Sequence, residues 1–305
     1  MAESLLRPPA LRPGDRVAVA AASGPPDQAA LDRGLAALRG LGLEPDVLPS
    51  ARAGGAYLAG SDALRAADLT RALTDPSYRA VLLACGGYGA QRTLELVDWD
   101  RVGAPAPRAV IGYSDVTALL EAVAVRLGWA SLFAPMPACD GFHPDSPAFG
   151  HLARLLTDPA SVRELAFPRA RALVPGTAEG VTAGGTATLL ASSLGSATSR
   201  PARGAVLLLE DVDEEVYRLD RILTQLRRSG YLDGVAGIVC GTFTRCGAPE
   251  EVEELLRDRL GDLGVPVLAG ADVGHGVPMR TFPIGVRARL DADRGTVRLL
   301  DPPLT

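Results

Sequence analysis

No HExxH motif occurs in this chain of 305 residues, and no group of Cys, His and carboxylates has metal-ligand spacing, so no metal centre is expected. Cysteine is scarce. Cys85, Cys139, Cys240 and Cys246 form no CxxC pair and nothing else suggests export, so reduced thiols in a cytoplasm are expected, with a Cys240–Cys246 bridge as the alternative. No uninterrupted apolar stretch approaches the roughly 18 residues of a spanning helix, which argues against a membrane protein. The run 17–22 could serve as a signal-peptide core, but Pro8, Pro9, Pro13 and the turn Gly14-Asp15-Arg16 in front of it fit a first buried strand better. Positive charge is not in surplus either. A formal net charge of -5 and a pI near 5.3 leave no footprint for a nucleic-acid backbone or an anionic bilayer, so the expected partner is a small molecule or peptide. Aromatic residues amount to 5%, and histidine occurs only as His143, His151 and His275, which keeps the search for a catalytic base short.

What is present is ordinary for a globular chain: 47% hydrophobic and 22% charged residues, at a length that suits two moderate domains or one large one. The apolar run 17–21 passes through Ser23-Gly24-Pro25-Pro26 into a helical period over 28–41. A helix over 62–73, a strand over 80–84, a helix over 90–97 behind a Gly-rich turn, a strand over 109–112 and a helix with Val116, Leu119, Leu120, Val123 and Leu127 on its apolar face follow. Such alternation predicts an α/β fold with a parallel sheet covered on both faces, here an N-terminal domain over 1–155. Pro159, Pro168 and Pro175 punctuate 156–177, which reads as a linker. Strands over 205–209 and 235–239, a helix over 216–228 and closing hairpin strands over 285–300 then predict a smaller, strand-rich C-terminal α/β domain over 178–305.

The sharpest local feature is Ile111-Gly112-Tyr113-Ser114-Asp115-Val116-Thr117, where a buried strand ends at a serine and a helix begins at once. A nucleophile elbow presents its hydroxyl in this way, although Val116 stands at the second glycine of G-x-S-x-G. The plainer reading is that Ser114 or Asp115 caps the helix. Of the three histidines, His143 lies in a loop and His151 opens a helix, whereas His275 sits between glycines in Asp272-Val273-Gly274-His275-Gly276, where the backbone can take an exposed, unusual path. An acid is needed to orient an imidazole. Glu210 and Asp211 both end the apolar strand Leu207-Leu208-Leu209, and the residues alone do not choose between them. The Gly-rich strand end Cys85-Gly86-Gly87-Tyr88-Gly89 lacks the Lys-Ser/Thr pair of a Walker loop. It could present N–H groups to an oxyanion opposite the N–H of Asp115.

These segments together resemble the LD-carboxypeptidases and the related microcin C immunity peptidases. The resemblance runs from end to end, through Leu11-Arg12-Pro13-Gly14-Asp15-Arg16, Gly60-Ser61-Asp62, Gly86-Gly87-Tyr88-Gly89, Gly112-Tyr113-Ser114-Asp115, Leu209-Glu210-Asp211-Val212, Tyr217-Arg218-Leu219-Asp220-Arg221, Gly274-His275 and Pro283-Ile284-Gly285, in the family's order. It implies a serine from the N-terminal domain, a glutamate and a histidine from the C-terminal one, and a site in the groove between them. It selects Glu210 over Asp211, and so implies a Ser114–His275–Glu210 triad with the N–H groups of Asp115 and Gly87 as the oxyanion hole. The implied reaction removes a C-terminal D-alanine from a murein tetrapeptide, as in cell-wall recycling, without a cofactor, by a protein expected to be a homodimer. Substrate contacts are expected from Cys85, Gly86, Tyr88, Phe133 and Thr186. Three of these depart from the family pattern: Cys85 replaces an arginine, Phe133-Ala134-Pro135-Met136 replaces His-Gly-Pro-Met, and Thr186 replaces an asparagine. The competing readings are a hydrolase of peptidyl or aminoacyl nucleotides of the microcin-immunity type, a non-catalytic ligand-binding relative, and a nucleotide-dependent Rossmann enzyme.

Overall fold

Short, fully buried apolar runs separated by amphipathic helices fold into two sheets in the computed structural model, which describes residues 4–102 and 106–305. In chain order the strands are β1 (Arg16–Ala20), β2 (Glu44–Val47), β3 (Tyr78–Leu83), β4 (Ala109–Gly112), β5 (Ser131–Phe133), β6 (Glu164–Ala166), β7 (Arg171–Val174), β8 (Thr177–Thr186), β9 (Ala205–Val212), β10 (Gly237–Thr244), β11 (Val267–Ala269), β12 (Phe282–Ile284), β13 (Arg287–Asp291) and β14 (Thr296–Leu299). The first sheet has the order β12-β5-β4-β3-β1-β2, parallel except for β12 against β5. The second has the order β6-β14-β13-β8-β9-β10-β11-β7, with β8 to β11 parallel and antiparallel strands at each side. Among the described residues no helix is long and apolar enough to cross a membrane.

The reason for the parallel core lies in burial. Val17 to Ala20 and Ala80 to Leu83 are fully buried, because helices cover both faces of these strands. Helix Gln28–Gly40 starts where Asp27 accepts the Ala30 N–H at 2.7 Å, and Asp62–Thr74 where Ser61 accepts that of Leu64 at 3.2 Å. Helix Ala90–Leu94 stops short of the expected 97, and the helix containing His151 begins four residues earlier, at Pro147. The stretch 156–177, expected as a linker, carries β6 and β7, which form the two edges of the second sheet. Strands of three and four residues set between prolines show no period, yet short edge strands are how a sheet limits pairing with strangers.

The two sheets share one core. Phe133 and Phe282 of the first and Val206 and Leu290 of the second belong to a single buried cluster. In the first sheet the chain runs outward from β1 to β2, then back to β3 and on to β5, so the order reverses at β1 and β3. In open α/β sheets the crevice at the carboxyl ends of such strands is where ligands bind.

His151 pins the return of the chain to the first sheet. Its Nδ1 accepts the Thr281 N–H at 3.1 Å, one residue before β12. Burial, then the charges of Arg280 and Arg154, push its pKa down to about 4. The unfolded chain therefore binds this proton first: the contribution is complete above about pH 6.5 and is lost as pH falls towards 4, in total on the order of 3 kcal/mol. Urea melts at pH 7.5 and 4.5 should show a smaller acid loss for His151→Gln, which keeps an acceptor but does not titrate. Equal losses would contradict this account.

Candidate active site

β4 ends at Gly112, where any Cβ would stand 2.6 Å from Val116 Cγ1; only glycine lets the following turn fold back this tightly. Ser114 then takes φ 63°, a left-handed conformation that costs a side-chain-bearing residue about 1–3 kcal/mol, and a single 3-10 turn leads into helix Thr117–Arg126. Strand, strained serine and helix form the elbow expected from the sequence. Asp115 does not cap its own helix; its Oδ2 accepts the Ala90 N–H at 2.8 Å and so ties the elbow to the Gly-rich turn after β3. That turn passes over the serine, since a Cβ at Gly86 would lie 3.0 Å from Ser114 Oγ. The Gly87 N–H has no protein acceptor among the described residues.

The second sheet supplies the other half. Successive residues of β9 face opposite ways. Glu210, fully buried, turns to His275, with Oε2 at 2.8 Å from Nδ1 and 3.3 Å from the His275 N–H. Asp211 turns to the opposite side, where its Oδ2 accepts the N–H and hydroxyl of Thr188 at 2.9 and 2.8 Å, while burial pushes its pKa up to about 6. Of the two carboxylates that the residues left open, strand alternation thus turns Glu210 and not Asp211 to the ring of His275. His275 rides a loop closed by the Arg280 N–H on the Asp272 carbonyl at 2.6 Å, and the Gly276 N–H donates to Thr242 Oγ1 at 3.0 Å. Gly274 has φ 113°, and a Cβ there would stand 2.3 Å from Glu210 Oε2. Gly274→Ala should therefore displace the carboxylate and lower kcat about 100-fold or more in a protein that still melts cooperatively. An unchanged rate would show that the contact is slack.

Ser114 and His275 open onto one groove of about 560 Å³, shared with Gly24, Cys85, Gly86 and Gly87. Among the described residues that line it there is no arginine or carboxylate. The ring of Tyr113 packs against His275 with centroids 4.9 Å apart. At the mouth Tyr88 meets Tyr57, both more than half exposed, with centroids 6.0 Å apart. Cys85 faces the groove as a neutral thiol: its Sγ donates to the Gly24 carbonyl at 3.1 Å, and burial, followed by Cys139 and Asp115, pushes it up to about 12. All four cysteines are free, so Cys240 and Cys246 are not bridged.

Two expected substrate contacts are placed elsewhere. Phe133 is wholly buried and packs edge-on against Tyr113, because β5 is an inner strand of the first sheet. Thr186 is 3% exposed and faces Glu210 rather than the groove. His143 and His151 lie outside both the groove and the pocket beside it. The sequence reading missed Thr117, Thr242 and Tyr57; the position of Thr117, three residues after Ser114 in the first turn of the helix, was the one available signal.

Two α/β sheets that turn their carboxyl ends to one groove, one bringing a strained serine and the other a carboxylate-bound histidine, define a two-domain serine peptidase architecture. Residues 17–134 match the LD-carboxypeptidase N-terminal domain and residues 179–290 its C-terminal domain. A Streptomyces coelicolor protein, named provisionally as a carboxypeptidase, is 49% identical over 98% of each chain. The murein tetrapeptide carboxypeptidase of Pseudomonas aeruginosa is 33% identical over 78% of this chain and 80% of its own. The chain belongs to the LD-carboxypeptidase family. In fold it is also similar to the microcin C7 self-immunity protein solved with glutamyl sulfamoyl guanosine, with a TM-score of 0.88 at 22% identity over 98% of this chain and all of that one.

Proposed function

We propose that the chain is a serine carboxypeptidase that removes the C-terminal D-alanine from a murein tetrapeptide by cutting the amide between an L-centre and the D-residue. The observation that carries this reading is the 2.8 Å contact of Glu210 with His275 Nδ1 beside a groove that also contains the strained Ser114. In the proposed cycle Glu210 holds the Nδ1–H tautomer, which leaves Nε2 free to take the Ser114 proton as Oγ attacks the amide carbonyl. Charge on the carbonyl oxygen is met by the N–H groups of Gly87 and Asp115. His275 then passes the proton to the leaving amine of D-alanine. Water, deprotonated by the same Nε2, releases the shortened peptide and restores the serine.

The relatives named as murein peptide and murein tetrapeptide carboxypeptidases, at 36% and 33% identity, support the substrate class. The test is free D-alanine released from L-Ala-D-Glu-diaminopimelate-D-Ala by the purified protein, with an aminoacyl sulfamoyl nucleotide offered in parallel. Release from the tetrapeptide alone is the expected result. Cleavage of the nucleotide alone would replace the murein reading by the immunity type, and no cleavage of either would overturn both.

A further inference from the structure

Glu210 is wholly buried, and an anion removed from water must be met by donors. Its Oε2 is taken by the ring and the backbone N–H of His275. Its Oε1 receives the Thr186 hydroxyl at 2.5 Å, from the residue in direct register with it on the neighbouring parallel strand. Thr186 is itself fastened to the other half of the molecule. Its N–H donates to Thr117 Oγ1 at 3.1 Å, in the first turn of the helix behind Ser114, and its hydroxyl oxygen lies 3.4 Å from the Ser114 carbonyl oxygen. The approach is close enough that a Cβ on the preceding Gly185 would stand 2.7 Å from the same Thr117 Oγ1.

We propose that Thr186 is a positioning residue that holds the Glu210 carboxylate on His275 and keeps this pair in register with the serine contributed by the other sheet. The inference rests on the triad reading above. A hydroxyl can donate one proton, and this one goes to Oε1, so Oε2 remains turned to the imidazole. The oxygen then sits beside the main chain of the nucleophile, and the amide beside it locks that main chain's helix. Thr186 thus bonds to Glu210 on one side and lies 3.4 Å from the Ser114 carbonyl oxygen on the other.

The experiment follows the acylation of Ser114 by a fluorophosphonate, which needs no knowledge of the natural peptide. Full-length wild type, Thr186→Ser, Thr186→Ala and Thr186→Val are compared across pH. Serine keeps the donor and should stay within about threefold of wild type. Alanine and valine should lower the maximal acylation rate roughly 10- to 100-fold, the effect of one hydrogen bond to a charged group, with little change in the probe's half-saturation concentration. The acid limb of the rate profile, which reports the imidazole paired with its carboxylate, should move to lower pH in both, since a carboxylate no longer held on the ring stabilises the imidazolium less. Thr186→Ser and Thr186→Ala differ by one hydroxyl, so the pair decides the matter even if valine prevents folding. Equal rates in that pair, or a loss without movement of the acid limb, would overturn the positioning role. A wild type that fails to label, or labels elsewhere than Ser114, would instead overturn the triad reading.

Discussion

Ser114→Ala is expected to lower kcat on the cognate peptide by about 10⁶-fold, the loss found when a triad serine is removed. Turnover through an acyl-enzyme is lost with the hydroxyl. The residual rate should come from the N–H groups of Gly87 and Asp115, which polarise the carbonyl without a nucleophile on the protein. Relief of the left-handed backbone is no part of the gain, since alanine at φ 63° is as strained as serine. Melting should therefore change little, and D-alanine release followed over hours is the measurement. A variant within tenfold of wild type would show that another group attacks the amide.

The second large effect is expected from Glu210→Gln, about 10³- to 10⁴-fold in kcat, by analogy with the amide replacement of a triad aspartate. Shape and burial are preserved, but the charge facing the imidazolium is gone. There is also a tautomer argument. With the Thr186 hydroxyl donating to the side-chain oxygen, the glutamine amide must turn its NH₂ towards His275 Nδ1. The neutral imidazole then carries its proton on Nε2 and cannot accept one from Ser114. Binding of an uncleaved peptide to the Ser114→Ala and Ser114→Ala/Glu210→Gln proteins should be similar, which places the loss in the chemical step. A rate for Glu210→Gln within tenfold of wild type would remove Glu210 from the mechanism.

The local landmarks of this site were visible in the sequence, but it was the family resemblance that joined them into one candidate set. Ser114 follows a buried run and precedes a helical period, so an elbow could be read from the seven positions 111–117, beside the plainer reading of a helix cap. His275 stood out through its flanking glycines, and the reason is now specific: Gly274 leaves room for Glu210 Oε2. The fold class followed from the alternation of strand and helix patterns. What could not be read depends on strand register. Glu210 and Asp211 are chemically alike, and only pairing in the sheet decides which one faces the imidazole. Thr186 and Phe133 were expected at the substrate because they stand at positions of the family pattern, yet register turns one to the acid and β5 buries the other. β6 and β7 escaped notice because three or four residues between prolines carry no period, and their partners lie far along the chain: β6 pairs with β14, and β7 with β11.

β12 pairs with β5 after more than a hundred residues spent in the other sheet, and the histidine loop is the segment that delivers it there. During synthesis the nucleophile's own sheet thus lacks its outer strand until residue 284 has been made. The serine, its helix and the Gly-rich turn precede the strands β6 to β11 in the chain, whereas His275 and the edge strand that braces β5 follow them together. A nascent chain halted before residue 275 would hold the elbow without its proposed proton acceptor, so the proposed site can be assembled only once the strands of the second sheet up to β11 have been made.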